Sequence, residues 1–422
     1  MTATSSANLV LTGALAACDR IDAADPAISA FVTEPGRRKR VTAEAEGVQR
    51  RWPDPSGRPP LFGLPIGVKD VIRMAGLPTR AGSQLPAELL AGPQAEVVTR
   101  LETAGAIVAG KTVTAEFAVT APGPTRNPRD PAHTPGGSSS GSAAAVAAGM
   151  VPLALGTQTI ASVIRPAAYC GVPGFRPTYG RVPSDGVIAF APNLDTVGWF
   201  APDVAGLADA AVVLCDDWQS GARAELLVLG IPLGPYLERA STEALAAFAD
   251  HADCLRRAGF TIRQVPIMPD FENVMRQLFV ITRFELAREH ATWFAQYGDR
   301  YRQQTSAMIR EGQGISGREH EQALQWQQEF GPHVVEVMEQ AGIDAWLTPA
   351  ATGPAPASLD STGDPVMSVP WSLARLPAVS LPAGVVGGLP VGVQCVGRHG
   401  ADEQLLAAAA LAESALLAAR AS

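Results

Sequence analysis

The sequence predicts an α/β protein in which one β-sheet is enclosed by helices. Short apolar segments bounded by glycine or proline alternate with amphipathic ones, as at 94–110, where a helical pattern, a glycine and a buried-strand pattern follow one another. The composition, with 47% hydrophobic and 18% charged residues, 41 glycines and 35 prolines, is that of an ordered globular protein with many tight turns. Alternating strands and helices are typical of α/β folds.

The predicted elements follow in chain order. The first half contains a strand within 61–70 that runs into a lysine, a helix and a strand within 94–110, a helix in SAAAVAAGM and a strand in VPLALGTQT. The second half contains a strand at 226–232, a helix and a strand within 243–267, a strand within 343–350, apolar strands within 376–397 and a C-terminal helix. The polar helical stretch 270–340 is expected to cover one face of the sheet.

The N-terminal apolar run LVLTGALAAC ends in four residues that match a bacterial lipoprotein cleavage site at Cys18. No Lys or Arg precedes this run, as a signal peptide would require, and the following residues continue it as an amphipathic helix that ends near a proline. No apolar span of membrane length follows elsewhere. The expected protein is therefore cytoplasmic and free of membrane contacts.

The net charge and the cysteine pattern argue against a nucleic-acid-binding protein, a disulfide framework and a zinc site. Lys and Arg number 33 and Asp and Glu 41, so the net charge is 33 − 41 = −8, and no basic block marks a nucleic-acid surface. The five cysteines are scattered and odd in number, which predicts free thiols and neither a disulfide framework nor a zinc site. The six histidines show no metal-ligand spacing. No metal and no cofactor is predicted.

The stretch PGGSSSGSAAA (135–145) looks like a flexible tether, but its neighbours contradict that role. A strong helix former begins directly after a serine-rich N-cap, and an apolar strand returns at once after that helix. The stretch is therefore interpreted as a loop that brings main-chain N–H groups and hydroxyls to a helix N-terminus, where negative charge is favoured.

Two common motifs match and are rejected on their context. GAIVAGKT (105–112) fits a phosphate-binding loop, yet its middle residues form an apolar strand, so we predict a helix end, a buried strand and an exposed Lys111. GSSSG (137–141) fits a nucleophile elbow centred on Ser139, which would indicate an α/β-hydrolase. The proline-rich segment before it cannot be the strand that such an elbow requires.

A wider set of motifs follows in order along the chain: GVKD with Lys69, the serine–glycine loop with Ser138, and GTQTIASVIRPAAYCG with Ser162. TAEFAV (114–119), NLDTVGW (193–199) and the end of the chain (376–397) add further motifs over nearly the whole sequence. In this ordered set the chain resembles the amidase signature family. The resemblance implies one domain over 1–422 with a mixed twisted sheet between helices, a catalytic core segment at 61–200, and a variable segment at 201–345 that shapes the substrate pocket.

The resemblance also implies roles for three side chains. Ser162 would be the nucleophile, Ser138 a bridging serine that follows a cis peptide bond, and Lys69 the base. A lysine accepts a proton only when it is neutral, and burial without an adjacent carboxylate would lower its pKa toward neutrality. A hydroxyl can bridge base and nucleophile because it both donates and accepts. By position, the oxyanion would be held by the main-chain N–H groups of Thr159, Ile160 and Ala161, together with that of Ser162.

The sequence departs from the family pattern around the nucleophile. Ile160 and Ala161 stand where the family has two glycines, and a β-branched Ile160 would strain the loop if those glycines use positive φ. Gln158 stands where the family has Asp, and Arg165 lies three residues after Ser162 instead of two. We expect an intact oxyanion site and hypothesise that a carboxylate–guanidinium contact has been rearranged. Asp70 and Asp195 are expected to be structural partners of main-chain or arginine groups.

The predicted function is hydrolysis of a small-molecule carboxamide C–N bond through an acyl-enzyme on Ser162. Carbamate or ester hydrolysis uses the same machinery and remains open. An A-type subunit of a glutamine-dependent amidotransferase is a further alternative, as is a non-catalytic binding protein. The expected partner is a small-molecule amide or carbamate. The sequence determines neither the substrate nor the oligomeric state, with a homodimer among the options.

Overall fold

The computed structural model describes the backbone of residues 4–421 and the side chains of residues 9–420. Ten strands in this part of the chain form one sheet, in the order β2-β1-β3-β5-β4-β9-β10-β8-β6-β7. Their bounds are β1 Pro65–Lys69, β2 Ile107–Thr112, β3 Leu153–Gln158, β4 Gly174–Arg176, β5 Thr196–Phe200, β6 Val228–Leu233, β7 Thr261–Pro266, β8 Ala345–Pro349, β9 Ala378–Val386 and β10 Leu389–Gly397.

The sheet is mixed. β1 pairs in parallel with β2 and β3, and β6 pairs in parallel with β7 and β8. The pairs β3–β5, β5–β4, β4–β9, β9–β10 and β10–β8 are antiparallel. The predicted fold class, an α/β body with a mixed sheet enclosed by helices, is confirmed.

Helices flank this sheet along the whole described chain. They are α1 Thr4–Ile28, α2 Arg37–Arg51, α3 Glu96–Thr103, α4 Ser140–Ala147, α5 Ile164–Cys170, α6 Val204–Leu214, α7 Thr242–Arg257, α8 Phe271–Glu289, α9 Ala291–Tyr297, α10 Gln303–Gln313, α11 Gly317–Ala341, α12 Val369–Leu373 and α13 Asp402–Ala421. Within residues 4–421, none of them combines the length and apolarity needed to cross a bilayer.

The predicted N-terminal helix is α1, which ends at Ile28, two residues after Pro26, and contains the buried Cys18. The predicted strand before Lys111 is also present. Lys111 itself, however, is buried, and the prediction that it is exposed is wrong. The parallel pairing of β1 and β2 places its amine 3.0 Å from the Asp70 carboxylate, which compensates the charge in the interior.

Three short elements near the site were not predicted from the sequence: α5, β4 and β5. All seven residues of α5 are buried, so the helix shows no amphipathic period, and Pro166 lies in its first turn. β4 has three residues, too few for a period of two to be visible. Tertiary contacts, rather than local pattern, define these elements.

His290 is a buried residue whose protonation should make the stability of the fold depend on pH. It ends α8, its Nδ1 lies 3.0 Å from the Tyr301 hydroxyl, and its ring packs edge-on against Phe117. Burial lowers its pKa from the ordinary 6.5 to about 4. As pH falls through this window, only the unfolded chain gains a proton, so stability is lost below pH 6.5 and is lowest below pH 4.

We therefore expect the free energy of unfolding to fall between pH 7 and 5 by about 2 kcal/mol more in the wild type than in a His290→Asn variant. Urea unfolding of both proteins at the two pH values measures this difference. Equal losses in the two proteins would contradict a neutral buried imidazole.

Candidate active site

Lys69 is the last residue of β1, a strand that lies between two parallel neighbours and is buried along its whole length. Its amine is therefore carried into the interior, and its side chain is fully buried. Within the described residues it forms no ion pair. Burial lowers its pKa well below 10.5, and only the more distant charge of Asp195 opposes this shift. The neutral amine required of a base is thus favoured.

Two hydroxyls hold the Lys69 amine. Its Nζ lies 2.8 Å from Ser138 Oγ and 2.7 Å from Thr157 Oγ1. The sequence analysis predicted Ser138 and missed Thr157. The pairing of β1 with β3 accounts for Thr157, because Val68 is opposite Leu155 and Thr157 lies two residues further along β3. A strand-pairing prediction could have found it, but the motifs could not.

The serine–glycine loop is packed rather than flexible, since residues 134–145 are all buried. Gly136 and Gly137 turn the chain with φ of 82° and 60°, and a Cβ on Gly137 would lie 3.1 Å from the Cα of Ser162. The Ser139 hydroxyl donates to the Thr157 C=O and accepts from the Thr157 N–H, and these two hydrogen bonds link the loop to β3. The tether interpretation is thereby excluded.

The expected cis peptide bond at Ser138 is not present, because the peptide bonds of the described residues are all trans. The two consecutive glycines with positive φ make the reversal instead, and the Gly137 N–H donates to the Thr362 carbonyl at 3.0 Å. Ser138 still reaches Lys69 with this backbone.

Ser162 lies beside Ser138 and is 8% exposed, against 1% for Ser138. Its Oγ accepts a hydrogen bond from the Ser138 main-chain N–H at 3.2 Å. Among the described residues, no hydrogen bond joins the two serine hydroxyls. The structure therefore brings Lys69, Ser138 and Ser162 together. The Lys69 amine contacts the Ser138 hydroxyl, and the Ser138 main-chain N–H contacts the Ser162 hydroxyl.

The four N–H groups before and at Ser162 are arranged in a loop between β3 and α5. Within residues 4–421, none of Thr159, Ile160, Ala161 and Ser162 donates its N–H to another protein group. Ile160 and Ala161 are not among the described positions with positive φ, so the expected strain at Ile160 is not present. The Ser372 hydroxyl donates to the Ile160 carbonyl at 2.6 Å and anchors this loop.

Gln158 and Arg165 form no hydrogen bond with each other, and the hypothesis of a rearranged carboxylate–guanidinium contact stays a hypothesis: the charge of Asp364 acts on Arg165 without forming an ion pair with it. The Gln158 side-chain oxygen accepts from the N–H groups of Val163 and Ile164 at 2.8 and 3.0 Å, and thus caps the start of α5. Its amide donates to Ser372. Arg165 is buried, at 4% exposure, rather than directed into solvent.

Ser162 opens into a cavity of about 430 Å³. Ile160, Ala161 and Arg165 line it together with Ser162, and so do the α8 residues Met275, Phe279 and Arg283. The segment 201–345 therefore contributes to this cavity. A larger cleft of about 1070 Å³, lined by α1 and the 80–84 turn, contains none of the three predicted catalytic residues.

Residues 14–406 match the family model described as Amidase. The chain belongs to the amidase family. A similar relative is the A-type subunit of the glutamyl-tRNA(Gln) amidotransferase of Symbiobacterium thermophilum, 34% identical, with 92% of this chain and 90% of that protein covered. A solved amidase is 29% identical with a TM-score of 0.85 and full coverage of both chains. The peptide amidase of Stenotrophomonas maltophilia is 27% identical, with a TM-score of 0.81 and 96% and 93% covered.

In this amidase-family chain, Asp195 is hydrogen-bonded to the loop before Ser162 that is predicted to hold the oxyanion. It accepts hydrogen bonds from Thr159 Oγ1 at 2.5 Å and from the N–H groups of Phe190 and Ala191. As expected, it is thus a partner of main-chain groups. Burial raises its pKa to about 6, and its charge is the one that favours protonated Lys69.

An Asp195→Asn variant should lose roughly tenfold in kcat, because the loop that carries the oxyanion donors is held less firmly. Removing the negative charge should also lower the pKa of Lys69 further, so the acidic limb of the kcat/KM profile should move to lower pH. Rate profiles between pH 4 and 9 measure both effects, with Asp360→Asn as an exposed control. A profile that moves to higher pH would contradict this role.

Proposed function

We propose that the chain is an amidohydrolase that cleaves a small-molecule carboxamide through an acyl-enzyme on Ser162. The observation that carries this proposal is a buried Lys69 that forms no ion pair within the described residues and whose amine lies 2.8 Å from the Ser138 hydroxyl, while the Ser138 main-chain N–H contacts the Ser162 hydroxyl. Such an amine can accept a proton at neutral pH, which activates a serine nucleophile.

The proposed reaction runs in two steps. Ser162 Oγ attacks the amide carbon while its proton passes through Ser138 Oγ to Lys69, and the carbonyl oxygen becomes an oxyanion held by the free N–H groups of Thr159, Ile160 and Ala161. The C–N bond then breaks as the protonated Lys69 returns the proton to the leaving nitrogen. Water hydrolyses the ester on Ser162 by the same route and releases the acid.

The relay requires a contact between the two serine hydroxyls. In the structure the Ser162 Oγ accepts from the Ser138 N–H, so the proposal requires the two hydroxyls to come into hydrogen-bond contact when substrate is bound. Catalytic hydrogen bonds often tighten only in the substrate complex. The trans peptide at Ser138 leaves its hydroxyl on Lys69, which preserves the first half of the relay.

The proposed partners follow from this chemistry. The chain would act on a small-molecule amide or carbamate in the cytoplasm, with no bound cofactor, nucleic acid or membrane. Carbamate and ester hydrolysis share the acyl-transfer step. Release of amine alone indicates an amide substrate, whereas release of amine together with carbon dioxide indicates a carbamate.

A second candidate is the A-type subunit of a glutamine-dependent amidotransferase. Curated relatives support it, because two proteins that are each 34% identical over 92% and 94% of this chain are named as such subunits. This candidate predicts that the isolated chain gains glutaminase activity only with partner subunits. Turnover of simple amides by the chain alone would favour the hydrolase.

Labelling with a fluorophosphonate tests the shared chemistry. The wild type should be labelled on Ser162, and Ser162→Ala should not be labelled. Ser139→Ala is the matched control, since Ser139 is the nucleophile of the rejected elbow, and labelling should persist in it. Absence of labelling in the folded wild type would favour a non-catalytic binding protein.

A further inference from the structure

Asn193 is held through all four of its polar groups by two charged side chains of opposite sign. Its main-chain N–H and its side-chain amide donate to the Glu285 carboxylate at 3.1 and 2.5 Å. Its main-chain carbonyl and its side-chain oxygen accept from the Arg375 guanidinium at 3.1 and 2.9 Å. Hydrogen bonds with a charged partner are roughly twice as strong as those between neutral groups. We call Glu285, Asn193 and Arg375 the clamp.

The charged members of the clamp are themselves held in place. Glu285 lies on α8 and is 5% exposed, and His320 Nε2 of α11 lies 3.0 Å from its Oε1. The Arg375 guanidinium lies over the Tyr179 ring, 4.4 Å from its centroid. A buried carboxylate without these donors would be strongly destabilising, so the fold favours the position in which Asn193 stays against α8.

The turn that contains Asn193 supports the loop 159–162, the oxyanion loop of the proposed mechanism. Two residues after Asn193, the Asp195 carboxylate accepts from the N–H groups of Phe190 and Ala191 with one oxygen and from Thr159 Oγ1 with the other. Thr159 is the first residue of the oxyanion loop. The clamp is therefore joined to this loop through Asp195.

The helix that carries Glu285 also forms part of the substrate cavity. Met275, Phe279 and Arg283 of α8 line the 430 Å³ space beside Ser162. Arg283 is two residues from Glu285, and the six residues from Phe279 to Glu285 span about 9 Å of helix. A shift of α8 along its axis would break the contacts of Glu285 with Asn193. The clamp thus fixes the α8 side of the cavity relative to the oxyanion loop.

We propose that Asn193 and Glu285 are positioning residues that hold the oxyanion loop in place against the α8 side of the substrate cavity. For its effect on turnover, this inference rests on the proposed function. In the described chain neither side chain lines the cavity, so both act through Asp195 and Thr159. A misplacement of about 1 Å at a catalytic group can lower a rate by about 10²-fold. Loss of the clamp should therefore slow the chemical step rather than weaken substrate binding.

Steady-state kinetics with the 4-nitroanilides of acetic and hexanoic acid test this role. Asn193→Ala should lower kcat about tenfold and leave KM within about threefold of the wild type, and Glu285→Gln should act in the same direction. Glu289→Gln is the matched control, because it makes the same charge change at an exposed position of α8, and it should leave both constants unchanged. A higher KM with an unchanged kcat would show that the clamp shapes only the cavity, and would overturn the proposal.

A double variant tests the route through Asp195. Asp195→Asn already loosens the support of Thr159, so adding Asn193→Ala should lower kcat by no more than about a further twofold. A loss equal to the product of the two single losses would show that Asn193 acts independently of Asp195. That result would also overturn the proposal.

Hydrogen exchange tests the same link without turnover. The N–H groups of Val163 and Ile164 directly follow the oxyanion loop and donate to Gln158, so their exchange reports how firmly the loop is held. In Asn193→Ala they should exchange about five- to tenfold faster than in the wild type, while those of α7 should not, which separates local loosening from loss of the fold. Unchanged exchange would overturn the proposal. Faster exchange in a protein that turns over no amide would keep the positioning of the loop and reject the proposed function.

Discussion

Replacing Ser162 by alanine should lower kcat by about 10⁴–10⁶-fold, the largest effect expected in this protein. The variant lacks the oxygen that forms the acyl-enzyme, and residual turnover then depends on the oxyanion donors and on binding alone. These main-chain donors lie in the loop before α5 and do not depend on the Ser162 side chain. Binding of the acid product should therefore change little.

Single-turnover assays with a chromogenic amide measure the loss, and mass spectrometry of the quenched reaction detects the acyl adduct in the wild type. Ser139→Ala separates the nucleophile from its neighbour in the loop. Because Ser139 bonds both backbone groups of Thr157, its removal should lower stability rather than the chemical step. A normal burst of product from Ser162→Ala would show that another residue is acylated.

The alternation of apolar and amphipathic segments predicted the α/β class, most strands of the sheet and several of its long helices, but it missed β4, β5 and the 15-residue α2. It could not predict the order of the strands, because β1 and β3 are separated by residues 70–152, and neither strand carries a signal of its own for this pairing. It also misplaced Lys111 at the surface. A lone lysine after an apolar run looks exposed until its partner is known, and Asp70 becomes that partner only through the parallel register of β1 and β2.

In the candidate site, too, the motifs predicted some residues, whereas other contacts depend on the fold. Lys69, Ser138 and Ser162 stand in motifs whose order along the chain is informative, and the structure brings them together. Thr157 stands in the same motif as Ser162, yet its contact with the Lys69 amine follows from strand register and not from residue type. Neither motif nor composition could show that the turn before Ser138 is made by two glycines with a trans peptide.

The departures from the family pattern have different physical outcomes. Ile160 and Ala161 are tolerated because the loop uses no positive φ, so the missing glycines cost no backbone strain. Gln158, where the family pattern has Asp, accepts from two N–H groups at the start of α5, which needs only an acceptor oxygen. Arg165 is buried with its Nε and Nη1 unpaired among the described residues, and Asp364 acts on its charge without forming an ion pair with it.

Replacing Lys69 by methionine should lower kcat by about 10³–10⁴-fold, because the Ser162 proton then has no acceptor. Methionine nearly matches the volume of the lysine stem and needs no hydrogen bond, so the buried site should remain folded. Ser138→Ala should cause a similar loss, and the double variant should be little worse than either single one. Such non-additivity is expected when two residues act as one relay.

The pH profile identifies the base. In the wild type kcat/KM should rise with pH through the pKa of Lys69, which burial places well below 10.5, because only the neutral amine accepts a proton. That limb should disappear in Lys69→Met and shift to lower pH in Asp195→Asn. Asp195 has a raised pKa of about 6 and could produce a limb of its own, which the Asp195→Asn profile removes. A limb unchanged in Lys69→Met, or a rate within tenfold of the wild type, would mean that another group takes the proton from Ser162.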